Sequence, residues 1–195
     1  IQFWDGRAAD LAEQADGPVN NPIEMASNWE EVTGKLNQDP VITQEFLAVY
    51  PDGYKKENFV DAIAAFERTL ITPSPFDAFL KGDANALNAK QKEGYQLFED
   101  FGCATCHTGV ALGGKSFELM GLRGDYFGER GDVIKRDYGR YNVTEDEYDR
   151  FRLKVPTLRN IAVTFPYLHD GTAETLEEAT EIMMTYQVGK EATPA

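Results

Sequence analysis

Cysteine and histidine are scarce in this 195-residue sequence, with two of each. A structural zinc site wants four such ligands, and beyond Cys103, Cys106 and His107 only His169 remains. Long apolar runs are missing as well: none approaches the roughly 20 residues of a membrane-spanning helix, so no membrane span is expected. Cations are in the minority, with Lys+Arg 19 against Asp+Glu 33 and a net charge of −14. That balance argues against nucleic acid as a partner, because phosphates are neutralised by clustered cations. It suits cations or basic partners instead. The first seven residues, Ile1-Gln2-Phe3-Trp4-Asp5-Gly6-Arg7, contain no initiator Met, no basic n-region and no apolar h-region. So aromatic an opening reads as the middle of a folded protein, and more chain is expected upstream. What is present, 42% hydrophobic and 27% charged residues, is a globular composition for one large domain or two small ones.

Both cysteines fall in one motif, Cys103-Ala104-Thr105-Cys106-His107. A thioredoxin-like redox pair would want a βαβ context and has no use for the adjacent His. In c-type haem attachment the two thiols bond the porphyrin edge and the next imidazole takes the iron. The spacing lets both thioethers reach one macrocycle while the ring points at its centre. Haem c is therefore the expected cofactor, and its assembly outside the cytoplasm implies the periplasm.

Helical signals dominate the rest. Phe59, Ile63, Phe66 and Leu70 lie at i, i+4, i+7 and i+11 within residues 55–71, a stretch ended by Pro73. Ser27 reads as the N-cap of a helix reaching Asn37, and residues 41–50 as another, stopped by Pro51-Asp52-Gly53. Residues 89–101 carry Tyr95, Phe98 and Phe101 at helical spacing and run into the haem motif. Thr175 with Glu178 forms a capping box for a helix to Gln187. Residues 121–150, rich in Gly, Tyr and charge, read as a surface excursion with a short helix capped by Thr144. A boundary is expected near residues 72–84.

His107 leaves the other face of the iron open to Met25, Met120, Met183, Met184 or His169. Most methionines in a helical domain are core filler. Met183 is favoured by periodicity, because it shares a helix face with Leu176, Ala179 and Tyr186. His169 lies in a turn-like setting, Tyr167-Leu168-His169-Asp170-Gly171, that suits a structural hydrogen bond.

Three stretches carry a further pattern. The first is Phe3-Trp4-Asp5-Gly6-Arg7-Ala8 with Gln14, Gly17-Pro18 and Asn21-Pro22-Ile23-Glu24-Met25. The second is Cys103 to His107 with Gly109-Val110 and Gly113-Gly114. The third is Lys154-Val155-Pro156-Thr157-Leu158-Arg159-Asn160-Ile161, Phe165-Pro166-Tyr167-Leu168-His169-Asp170-Gly171 and Thr175-Leu176-Glu177-Glu178-Ala179. Together they resemble the bacterial di-haem cytochrome c peroxidase family in nearly the whole chain and in the family's order. In that family an N-terminal haem domain reduces hydrogen peroxide, and a C-terminal high-potential haem with His/Met ligation receives electrons from a small donor.

The resemblance implies thioethers at Cys103 and Cys106 and iron ligation by His107 and Met183. It puts Trp4 between the two haems on the electron path, and Gln14 and Glu24 beside the peroxidatic iron. It implies a calcium held partly by the backbone carbonyls of Thr164 and Pro166, a homodimer, and a small cytochrome c or cupredoxin as donor. A carboxylate such as Glu24 can move a proton between the two oxygens of peroxide, acting as base and then as acid. Gln14 can only orient by hydrogen bonding. The family carries two CxxCH motifs and this sequence one, so the second haem, its proximal His, a distal His and a third calcium ligand are expected before Phe3. The chain is then the C-terminal part of a longer subunit, and alone is not expected to turn over peroxide efficiently.

The implied fold is all-α. Residues 1–75 form part of the N-terminal peroxidatic domain, and residues 76–195 a class I cytochrome c-like domain. Three rivals compete with this reading. A monohaem electron-transfer cytochrome leaves the Phe3 to Met25 stretch unexplained. A related di-haem enzyme that oxidises a protein residue has Tyr where Met183 stands. A structural bis-His haem would use His107 and His169.

Overall fold

The computed structural model describes residues 1–192. The chain divides into two compact units, one comprising Ile1–Gln2 and Ala8–Ile71, the other Phe3–Arg7 and the chain from Thr72 onward.

The first unit is four helices: α1 (Leu11–Asn20), α2 (Trp29–Leu36), α3 (Pro40–Val49) and α4 (Lys56–Glu67). Each start has a local cause. Asp10 accepts from Glu13 N–H at α1, Asn28 from Glu31 N–H at α2, and Asp39 from Val41 and Ile42 N–H at α3, where Pro40 sits at the first turn. The cap of α2 is thus Asn28 rather than Ser27, whose hydroxyl instead donates to the Glu31 carboxylate at 2.9 Å. α1 and α4 pack through small buried side chains, Ala15 and Ala64, with Val19 and Phe59 beside them. Trp29 stacks on Phe59 at 5.4 Å and 9°. Its indole N–H donates to Asp16, which also takes Lys56, so one carboxylate on α1 joins α2 and α4.

The second unit contains α5 (Pro75–Leu80), α6 (Ala89–Asp100), α7 (Tyr126–Arg130), α8 (Tyr141–Thr144) and α9 (Leu176–Met183), which runs into a π-turn at Met184–Val188. Asn88 with Gln91, and Thr175 with Glu178, form reciprocal capping boxes at α6 and α9. One small antiparallel sheet joins β1 (Phe117–Leu119) to β2 (Arg152–Lys154), pairing Phe117 with Lys154 and Leu119 with Arg152. The structure is helix-rich, with this short two-stranded sheet as an addition to the all-α expectation.

Its core is Met120, Tyr126, Phe127 and Leu153, with Trp4, Phe151, Leu168, Ile182, Met183 and Tyr186 packed against it. Two expectations need correcting here. Residues 121–150 are mostly exposed, as expected, but Tyr126, Phe127 and the wholly buried Asp137 come from this stretch. Aromatic rings, each burying as much area as several aliphatic groups, replace the missing aliphatics. Thr144 ends α8 rather than capping a helix start, and its hydroxyl donates to Asp149.

Among the described residues no helix is long and apolar enough to cross a membrane.

Candidate haem-binding site

α6 ends at Asp100, and Gly102 turns the chain at φ 76 into a 3-10 turn at Cys103–Thr105. His107 N–H closes that turn on the Cys103 carbonyl at 3.0 Å. Cys103 and Cys106 are not joined in a disulfide, and both are half-buried. Burial pushes both thiols up from their ordinary value, and the Glu118 carboxylate adds to this at Cys106.

His107 carries the most telling geometry. Its Nδ1 lies 3.1 Å from the Leu112 carbonyl, which can only accept, so Nδ1 holds the proton. Burial pushes the imidazole down and favours its neutral form, although the carbonyls of Leu112 and Pro156 pull the other way. A neutral ring protonated at Nδ1 keeps its Nε2 lone pair for a metal. Two cysteines at this spacing and an imidazole held in this tautomer fit a covalently attached haem.

The residues that hold the tautomer were less visible in the sequence. Gly113 packs so tightly that a Cβ there would lie 2.0 Å from the Pro156 carbonyl oxygen. Gly114 N–H donates to Val155 O at 2.7 Å, Thr157 Oγ1 to Ala111 O at 2.6 Å, and Arg159 Nε to Val110 O at 2.7 Å. The Val155 to Arg159 stretch therefore clamps the loop that presents Leu112 to His107. A Gly-Gly pair and a Pro-Thr-Leu-Arg run were the only signals of that role.

The remaining candidates fall in different places. Met183 sits on the inward face of α9 against the Met120, Tyr126, Phe127 and Leu153 core, with Ala179 and Tyr186 on the same side. Met120 is buried in that core, Met184 is half-buried, and Met25 is exposed in the first unit. Trp4 is half-buried; its carbonyl accepts from Lys154 N–H at 2.8 Å and its ring meets the His169 ring edge-on at 6.2 Å.

His169 Nε2 donates to Asp137 at 2.6 Å, which engages that nitrogen in a hydrogen bond instead of leaving it for iron. Asp137 also accepts from Arg130 and from Ile134 N–H. Burial works against its charge, but the Arg130 guanidinium, the Ile134 amide and His169 together hold its carboxyl at about 2. Asp137, His169 and Asp170 come close enough to hold a cation, yet Arg130 already bridges the two carboxylates at 2.5 Å each. The cluster is an ion-pair network, not a metal site.

In the first unit Gln14 is half-buried on α1 and Glu24 is exposed in the turn that follows. That turn is fastened to the helix end, Met25 N–H donating to Pro18 O at 3.1 Å and Ser27 N–H to Val19 O at 3.0 Å. Gln14 precedes Pro18 by one helical turn on the same face. Asn21 Nδ2 donates to Glu24 Oε1 at 2.6 Å, which fixes the carboxylate's direction. Thr164 and Pro166 lie in an exposed loop of the second unit.

Taken together, the helix-rich scaffold and this turn define a haem c protein. A family model described as di-haem cytochrome c peroxidase matches residues 1–85. The chain is 58% identical over 192 residues to cytochrome c peroxidase Ccp of Escherichia coli (strain K12), covering 97% of this chain and 41% of that protein. It is 47% identical over 192 residues to cytochrome c551 peroxidase of Nitrosomonas europaea, covering 97% of this chain and 56% of that protein. The crystal structure of a MauG-like protein associated with microbial copper homeostasis matches with a TM-score of 0.79 and 28% identity, over 92% of this chain and 57% of that one. The chain belongs to the di-haem cytochrome c peroxidase family. It spans about half the length of the relatives it matches, 41% and 56% of these two.

Proposed function

We propose that this chain is the electron-entry part of a cytochrome c peroxidase, with a class I cytochrome c-like domain that binds one haem c through Cys103 and Cys106 and ligates its iron with His107 and Met183. The observation that carries this reading is the His107 ring, held with its proton on Nδ1 and Nε2 left for iron, in a chain 58% identical to a named peroxidase. Haem, when bound, supplies the iron and its exchange of electrons. Reduction of one hydrogen peroxide to two waters takes two electrons and two protons. Electrons enter from a small cytochrome c or cupredoxin, and Trp4 lies on their path towards the peroxidatic haem. Support for that role is its fixed backbone and its packing against the core that also holds Met183.

Glu24 takes the proton from the oxygen that binds and returns it to the oxygen that leaves, while the Gln14 amide orients the peroxide. The Asn21 amide on Glu24 and the turn's attachment to α1 support a carboxylate held in one direction. Calcium takes oxygen ligands, and the Thr164 and Pro166 carbonyls are its protein donors in this chain. Among the described residues neither carbonyl accepts a hydrogen bond. The whole protein works in the periplasm as a homodimer, with a second haem c.

A sulfur-to-iron charge-transfer band in the oxidised, haem-loaded protein tests the iron ligand. Met183→Leu should abolish it; a band that survives would transfer the role to another methionine. The likeness to a MauG-like structure keeps one second reading in view, a di-haem enzyme that oxidises a protein residue. Peroxide-dependent oxidation of a reduced small donor separates the two, since only the peroxidase reading requires it.

A further inference from the structure

Met183 ends α9, and the next five residues, Met184–Val188, widen into a π-turn. Such turns are rare and occur mostly as single insertions in α-helices, frequently at functional sites. This one carries Gln187, whose side chain makes three hydrogen bonds to a distant segment. Its Oε1 accepts from Gly121 N–H at 3.0 Å and Leu122 N–H at 2.9 Å, and its Nε2 donates to Leu119 O at 3.0 Å. One amide thus satisfies three backbone groups on either side of Met120, which is buried in the core that Met183 packs against. Two neighbouring contacts reinforce the seam. Arg123 N–H donates to Tyr186 O at 2.8 Å, and Gly189 approaches Arg123 so closely that a Cβ there would lie 3.1 Å from Arg123 Cβ.

We propose that Gln187 is a positioning residue for Met183: its amide locks the π-turn to residues 119–122 and so keeps the thioether in place for the haem iron. The inference rests on the reading of Met183 as the iron ligand. A helix end frays unless its terminal groups find partners, and a ligand on a fraying end leaves the metal in proportion to the open population. The device requires an oxygen that accepts twice and a nitrogen that donates once, from a side chain of this length. Gln meets all three requirements; Glu can accept but not donate, and Leu does neither.

The test uses the haem-loaded protein with Gln187→Leu, Gln187→Glu and, as a control in the same turn, Tyr186→Phe, which loses only the hydroxyl's bond to Glu129. The readouts are the pH at which the oxidised protein loses its sulfur-to-iron band, and the haem reduction potential. Losing three hydrogen bonds, each contributing a few-fold, should make Met183 at least about tenfold easier to displace. The band's midpoint in Gln187→Leu should then fall by about one pH unit. Its reduction potential should fall to the extent that the oxidised protein loses the thioether more readily than the reduced one, because thioether ligation is what raises the potential. Gln187→Glu should fall between, and Tyr186→Phe should match the parent. A folded, fully haem-loaded Gln187→Leu with unshifted midpoint and potential overturns the proposal. If that variant does not fold, an unshifted Gln187→Glu overturns it instead. A band that survives Met183→Leu removes the ligand reading and this proposal with it, whereas a band lost in Met183→Leu but indifferent to Gln187 overturns this proposal alone.

Discussion

Asp137 is the largest side chain in the described chain to be fully buried, and it is charged. Its partners explain how: Arg130 and Ile134 N–H on one side, His169 on the other. Removing one member of such a group leaves the rest buried and uncompensated. Asp137→Asn should therefore cost about 3–5 kcal/mol of stability, measured by denaturant unfolding. The pH dependence follows from the depressed carboxyl. Its folded value is about 2 against an ordinary 3.8, so its stabilisation is complete above about 4 and is lost as pH falls through that interval towards 2. An acid-unfolding midpoint that does not move in Asp137→Asn would contradict this. Nothing in the sequence marked Asp137, because a lone acid among Gly, Tyr and charged residues carries no period. His169 was legible as a structural hydrogen-bonding residue, but its partner lies 32 residues away in sequence.

At the scale of elements, legibility followed local codes. Capping boxes such as those at α6 and α9, and the proline at the start of α3, act within four residues. The capping box of α9 was accordingly readable in order. α1 was missed although Asp10 and Glu13 mark its start, because its sequence is polar and contains Pro18. The β1–β2 pair is only three residues a strand, too short for an alternation to register. The loop after the haem turn depends on a close approach that only a fold creates. Gly113→Ala should push the chain away from Pro156 and release the Leu112 carbonyl from His107. The expected outcome is a several-fold lower ratio of covalent haem to protein, read by absorbance and intact mass, since the imidazole loses its fixed tautomer. A normal haem ratio would show that Leu112 does not set the ring.

For the whole molecule, the proposed haem site was legible because covalent attachment imposes a five-residue code, while the residues proposed for peroxide chemistry were legible only through the family resemblance. Glu24 is one of many exposed acids, and no spacing distinguishes it. The net charge of −14 should draw in a basic donor, so turnover with such a donor should fall several-fold as salt rises from low to physiological levels. Salt-independent turnover would mean that docking is not steered by charge. The most direct measurement is the rate at which the full-length protein carrying both haems consumes hydrogen peroxide with a reduced donor, compared with its Glu24→Gln form. A proton-shuttling carboxylate should leave a deficit of about 10²–10⁴-fold when it is replaced, with the Met183 charge-transfer band unchanged. Equal rates in the two proteins would contradict the assignment of this chain to peroxide reduction through Glu24.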